Sequence, residues 1–227
     1  MRRTPIAPLA LTVLLGACVF GSGPTPSPVV PCPTEGPTST SAQATNEGVT
    51  GATIRVTGAV EGDITVELYP EQAPIATANF VELARCGYYD GIWFHRILAG
   101  FVIQAGDPLT RGRTGDFDGV GSGGPGYQFE IEPPAEGLVY GPYSLSMANA
   151  APRVPDSNGS QFFIALADLD QQLRNVGVFT IFGQVTEGTD VVDQIAALPV
   201  RDPEFGVPLS LPVIQSITIL EGESESE

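Results

Sequence analysis

"FHRILAGFVIQAGDP", residues 94–108, is the stretch that decides how this chain is read. Its apolar residues are spaced as in two short strands broken at Ala99-Gly100. The same stretch carries His95, the only histidine of the chain, together with Arg96 and Gln104. A strand that served only to pack would not hold a guanidinium and an amide so close together. Alternation sets Phe94 and Arg96 on one face and His95 on the other. Beyond the break, Val102 and Gln104 share a face, with Phe101 at the turn. The stretch predicts an apolar patch on which one Arg and one Gln converge.

A second segment, "SMANAAPRVPDSNGSQFFIAL" (146–166), has matching features. Asn149 stands between Ala148 and Ala150, whose small side chains leave room for another backbone to approach, and Phe162 and Phe163 follow. Around both segments the pattern is mostly that of strands. "TIRVTG" (53–58) and "DITVELYP" (63–70) alternate, with Ile54, Val56, Ile64, Val66 and Leu68 on one face and Glu61-Gly62 as the turn. "APIATANFVELARCG" (73–87) reads as a helix, with Pro74 in its first turn and Gly87 just past its end. Ala76, Phe80, Leu83 and Ala84 form its apolar stripe. Further short strands are predicted near 92–97, 100–104, 127–131, 144–148, 161–165, 179–185 and 213–220, with a second helix over 188–197. The fold class is mostly β, a closed antiparallel barrel with two helices over its open ends.

Composition narrows the chemistry. The net charge is −16, and all ten basic residues are Arg. Such a chain repels phosphate backbones, which excludes nucleic acid as a partner. A Ser-His-Asp triad would need His95, and no G-x-S-x-G elbow is present. No Cys or His cluster has zinc spacing, and "GSGGPG" (121–126) lacks the Lys of a phosphate-cradling loop. That Gly-rich stretch reads as a flexible surface loop. Asp116 and Asp118 lack the rest of a Ca²⁺-binding loop.

The chain opens as a leader peptide. Arg2 and Arg3 precede a short apolar run, "PLALTVLLGA" (8–17), which ends in small residues directly before Cys18. This resembles the bacterial lipobox, which implies removal of residues 1–17 and lipidation of Cys18; a plain secretory leader with an incidental Cys is the alternative. Residues 18–51 are dense in Pro, Ser, Thr and Gly and read as a disordered tether. The folded domain is expected over 52–221, with an acidic tail at 222–227. Export permits a disulfide between Cys32 and Cys86; two unrelated thiols fit the sequence equally well.

Taken in order, four stretches resemble the cyclophilin family of peptidyl-prolyl cis–trans isomerases. They are "GDITVELYPEQAPIATANFVELARCGYYDGIWFHRILAGFVIQAGDP" (62–108), "YSLSMANA" (143–150), "NGSQFFIAL" (158–166) and "FTIFGQVTEGTDVVDQI" (179–195). The resemblance covers about residues 52–221 and implies an eight-stranded antiparallel barrel with two capping helices. It implies that Arg96 is the catalytic residue and that Phe101, Val102 and Phe163 form a proline pocket, Val102 standing where Met is common. It implies that Gln104 positions the substrate and that Ala148, Asn149 and Ala150 bind its backbone. Phe179 occupies the place where many members carry His. Between Ala167 and Phe179 the chain reads "ADLDQQLRNVGVF", longer than usual and without the family's Trp, with Leu173 standing for the family's Leu. Members that have the Trp use it to bind cyclosporin.

On this reading no metal or cofactor is needed. The partners are proline-containing segments of exported proteins, and the membrane is met only through the lipid anchor. The protein would be an extracytoplasmic, lipid-anchored monomer that assists folding. The alternative is a non-catalytic module that holds proline peptides. Without the matched context, Arg96 would serve equally well as a structural ion-pair partner in so acidic a chain.

Overall fold

The computed structural model describes residues 30–114 and 117–222. The expected leader, Cys18, the tether as far as residue 29, Asp116 and residues 223–227 lie outside the described residues. The described chain begins with α1 (Ser39–Thr45), β1 (Val49–Gly58), β2 (Gly62–Leu68) and α2 (Pro74–Arg85). It continues through β3 (Arg96–Leu98), β4 (Val102–Ala105), a 3₁₀ turn at Pro108–Thr110, β5 (Phe129–Glu130), β6 (Ser144–Met147) and β7 (Asp156–Asn158). The last elements are β8 (Phe162–Ala165), α3 (Asp170–Val176), β9 (Ile181–Glu187), α4 (Thr189–Ala196) and β10 (Pro212–Glu221).

Eight strands form one antiparallel sheet in the order β10-β1-β2-β9-β6-β8-β4-β3, and β5 pairs separately with β7. The hairpin of β1 and β2 follows the predicted alternation: Ile54, Val56, Ile64, Val66 and Leu68 are all buried. The expected closed barrel needs correction. The sheet is curled, a half-barrel whose edges β3 and β10 are not joined by a ladder. Between them runs the irregular stretch 91–95, which meets β10 through one isolated bridge, Trp93 to Val213. Loop hydrogen bonds complete the seam, Phe94 N to Pro212 O at 3.0 Å and Gly91 N to Ile214 O at 2.8 Å. Because β3 has only three residues, it is too short to extend that contact into a strand pair.

The expected pair of helices is found as α2 and α4, and two more accompany them among the described residues. Helix α2 buries its predicted stripe of Ala76, Phe80, Leu83 and Ala84. Phe80 meets Phe162 edge-on at 5.7 Å and Phe182 at 5.3 Å, so helix and sheet share one core. Burying an aromatic of this size contributes about 2–3 kcal/mol. The helix starts at Pro74 with no side-chain cap of its own. Glu132 supplies one from a distant loop, accepting from Ile75 N at 2.9 Å and Ala76 N at 2.8 Å.

Helix α1 lies in the stretch expected to be a tether, and strand β1 starts before the expected domain boundary. Thr38 and Ser41 form a capping box, and Ala42 is fully buried. Thr45 donates to Glu82 at 2.7 Å, and Asn46 donates to Pro74 O at 2.9 Å, both on α2. Cys32 and Cys86 are joined as a disulfide. A polar sequence is folded here because a covalent bond and a helical neighbour hold it, not because it carries an apolar stripe of its own.

Candidate functional site

The register of neighbouring strands assembles the site. Arg96 on β3 stands opposite Gln104 on β4, and Gln104 stands opposite Phe163 on β8. Cation, amide and aromatic therefore form one cross-strand row on one face of the sheet. The next row pairs Leu98 with Val102 and Val102 with Ala165. Phe101 sits in the turn between β3 and β4, with its ring 6.0 Å from the Arg96 guanidinium carbon. The predicted convergence is present, with one change: Phe94 does not share the face of Arg96. It is buried in the main core, edge-on to Phe162, because the regular ladder begins only at Arg96.

These residues open onto a groove of about 600 Å³. Arg96, Phe101, Val102, Gln104 and Phe163 line one part of it. Ala148, Asn149 and Ala150 line another, and Leu173 and Phe179 complete the set that the resemblance implied. All ten are brought together. The apolar members belong to a second hydrophobic cluster, separate from the main core, that holds Val102, Phe163, Leu173 and Phe179 with Tyr140 behind them. Phe163 and Phe179 meet edge-on at 5.8 Å.

The groove has one charge. Among its described lining residues Arg96 is the only ionised side chain, in a chain with 26 acids. Arg96 is half-buried and has no ion-pair partner among the described residues, which removes the structural ion-pair alternative there. Burial lowers its pKa from the ordinary guanidinium value, and the group stays charged at neutral pH. Gln104 donates to Gln161 Oε1 at 2.8 Å, and Gln161 in turn donates to Gly121 O at 3.0 Å and Gly123 O at 2.8 Å. The "GSGGPG" stretch, expected as a flexible loop, is thus latched as a wall of the groove. Asp107 adds to the latch by accepting from Gly121 N. A side chain at Gly123 would sit 2.1 Å from Asp107 Oδ1, so only glycine allows that approach. Asn149 is held by Asn158, which accepts from its amide at 3.2 Å and is itself fully buried.

A family model for cyclophilin-type peptidyl-prolyl cis-trans isomerases matches residues 52–219. The chain belongs to the cyclophilin family. It is 41% identical to peptidyl-prolyl cis-trans isomerase B of Streptomyces anulatus over 175 residues, covering 70% of this chain and 91% of that one. It is 43% identical to the B isomerase of Bacillus subtilis over 127 residues, covering 56% and 78%. A solved cyclophilin from Cryptosporidium parvum, crystallised in the presence of the dipeptide Ala-Pro, superposes with a TM-score of 0.63 at 34% identity. That match covers 76% of this chain and 99% of the other. This cyclophilin is an enzyme, a peptidyl-prolyl cis–trans isomerase.

Reading the sequence missed Gln161 and the glycine loop as parts of the cyclophilin groove. Gln161 lies two residues before Phe163, so strand alternation was the signal that placed it on the same face. Nothing local marked the loop, since its contacts come from Asp107 and Gln161.

His95 lies just behind Arg96 and is 3% exposed. Burial lowers its pKa to about 4, Asp107 pulls it back up, and the neighbouring Arg96 lowers it further. The unfolded chain binds this proton from pH 6.5 downward, the folded cyclophilin only near 4. Stability is therefore lost as pH drops from 6.5 to 4, by about 3 kcal/mol in all. Urea unfolding at pH 7 and pH 4 checks this: His95→Gln is expected to lose about 3 kcal/mol less than wild type on acidification. Equal losses in the two proteins would contradict the assignment.

Proposed function

We propose that Arg96 catalyses the isomerisation and that the groove holds a proline-containing peptide. Rotation about an Xaa-Pro bond is slow because amide resonance must be broken, with a barrier of about 20 kcal/mol. At the twisted transition state the prolyl nitrogen becomes pyramidal and basic. A fixed cation that donates a hydrogen bond to it stabilises that state over both planar isomers. Arg96 meets the requirement, being always charged and rich in donors. The pyrrolidine ring packs against Phe101, Val102 and Phe163, with Leu173 and Phe179 as the further apolar wall. Gln104 and the strip Ala148–Ala150 hold the peptide backbone on either side. The observation that carries this reading is the cross-strand row, which sets a lone guanidinium beside a buried apolar slot. Its test is the Arg96 substitution series argued in the Discussion.

We further propose that the enzyme works outside the cytoplasm, anchored through a lipid on Cys18, on exported proteins. Two observations support this. Small residues and a Cys fall together at the end of a leader-like apolar run. The Cys32–Cys86 disulfide suits an oxidising compartment, where such bonds persist. Expressed in a bacterial host, the full chain is expected in the membrane fraction and its Cys18→Ala variant outside it. Membrane retention of Cys18→Ala would overturn the anchor.

A further inference from the structure

We propose that Tyr140 is the positioning residue for the apolar wall of the groove, an inference that rests on the reading of the groove as the proline site. Phe179 lies in residues 177–180, between α3 and β9 and outside any helix or strand. Its peptide groups have no ladder to satisfy them. One phenol does so. Tyr140 Oη accepts from Phe179 N at 3.0 Å and donates to Phe179 O at 2.8 Å. Both functions of the hydroxyl are used on a single residue. Tyr140 is itself 1% exposed, and its ring meets that of Phe179 edge-on at 6.4 Å.

Tyr140 is in turn fixed to α3. Its N–H donates to Asp170 Oδ1 at 3.2 Å, and its carbonyl accepts from Leu169 N at 2.8 Å. Arg174 lies 5.6 Å from the ring centroid, pairs with Asp170 at 2.8 Å and donates to Leu138 O at 2.9 Å. Leu173 stands on the same helix. Phe179 therefore takes its place from one buried side chain that does not itself line the groove, while the backbone of the same residue, Tyr140, holds the start of the helix that carries Leu173. A slot that must hold a pyrrolidine ring against a fixed cation needs walls that do not shift, and a phenylalanine has no polar tip with which to anchor itself.

The test is Tyr140→Phe in the full chain, which keeps the ring and removes the hydroxyl. With Phe179 N–H and C=O left buried and unpaired, KM for an Xaa-Pro tetrapeptide is expected to rise roughly tenfold. Because Arg96 is untouched, kcat is expected to stay within about twofold. Ile54→Val, a truncation in the main core, serves as the control for a general loss of stability and is expected to leave KM unchanged. An unchanged KM in Tyr140→Phe, or a fall in kcat alone, overturns the proposal. If Tyr140→Phe does not fold, Arg174→Met keeps the hydroxyl and removes the cation over the ring. It is expected to raise KM about threefold, and no rise would be equally decisive against the role. Phe163→Ala separates the two levels: if it too leaves KM unchanged, the reading of the groove has failed, not only the role of Tyr140.

Discussion

Arg96→Ala is expected to lower kcat/KM for an Xaa-Pro tetrapeptide by roughly 100- to 1000-fold, with the loss almost wholly in kcat. The reasoning is one of differential binding. The prolyl nitrogen of a planar amide has no lone pair to offer, so the guanidinium contributes little to either ground state. On the proposed mechanism it acts only when rotation frees that lone pair. Losing one preorganised donor of this kind costs about 3–4 kcal/mol in the barrier. The half-buried setting strengthens the contact, since Arg96 is the only charge among the described lining residues and no carboxylate there competes for it. Arg96→Lys is expected to fall between the two, because an ammonium keeps the charge and loses the planar fork of donors. A protease-coupled isomerisation assay resolves all three proteins. A loss carried by KM, with kcat intact, would make Arg96 a binding residue and not the catalyst.

Reducing the Cys32–Cys86 disulfide, or replacing both residues by Ser, is expected to cost about 4 kcal/mol of stability. The bond closes a loop across a sequence separation of 54 residues, and loss of chain entropy in the unfolded state sets the size of the effect. For a domain of this length that corresponds to a fall in Tm of roughly 10 °C. The native state loses more than a crosslink. The segment between the cysteine and α1 passes against the groove's rim, where a side chain at Gly36 would lie 3.1 Å from Phe129 Cβ and 3.3 Å from Tyr127 Cδ2. Tyr127 lines the groove. Helix α1 has seven residues, too few to persist without its anchor. Calorimetry of oxidised and reduced protein checks the effect, and hydrogen exchange should show α1 losing protection first. Melting temperatures within about 2 °C of each other would show that the strap is held by its non-covalent contacts alone.

The parts of this fold that were legible in the sequence are those whose pattern is local. Alternation in β1 and β2 and the stripe of α2 each bury one face, so their period reports their partner. The site was legible for a related reason. Arg96, Gln104 and Phe163 lie on strands whose residues alternate, and register aligns them once those strands pair. What escaped was held by distant contacts. The sequence of α1, "STSAQAT", has no apolar stripe, and the disulfide, the packing of Ala42 and the hydrogen bonds to α2 hold it in place. Helix α3 buries just Leu173. The Gly-rich loop looks free until Asp107 and Gln161 are seen to hold it. The barrel was drawn closed because strand count suggests closure, whereas the irregular stretch from Gly91 to His95 leaves the seam unpaired as a ladder.

A structure of the protein with an Xaa-Pro tetrapeptide in the groove tests the central claim most directly. The account predicts the pyrrolidine ring against Phe101, Val102 and Phe163, with an Arg96 nitrogen within about 3.2 Å of the prolyl nitrogen. A guanidinium turned away from the bound ring, or engaged by a carboxylate of the protein, would contradict it.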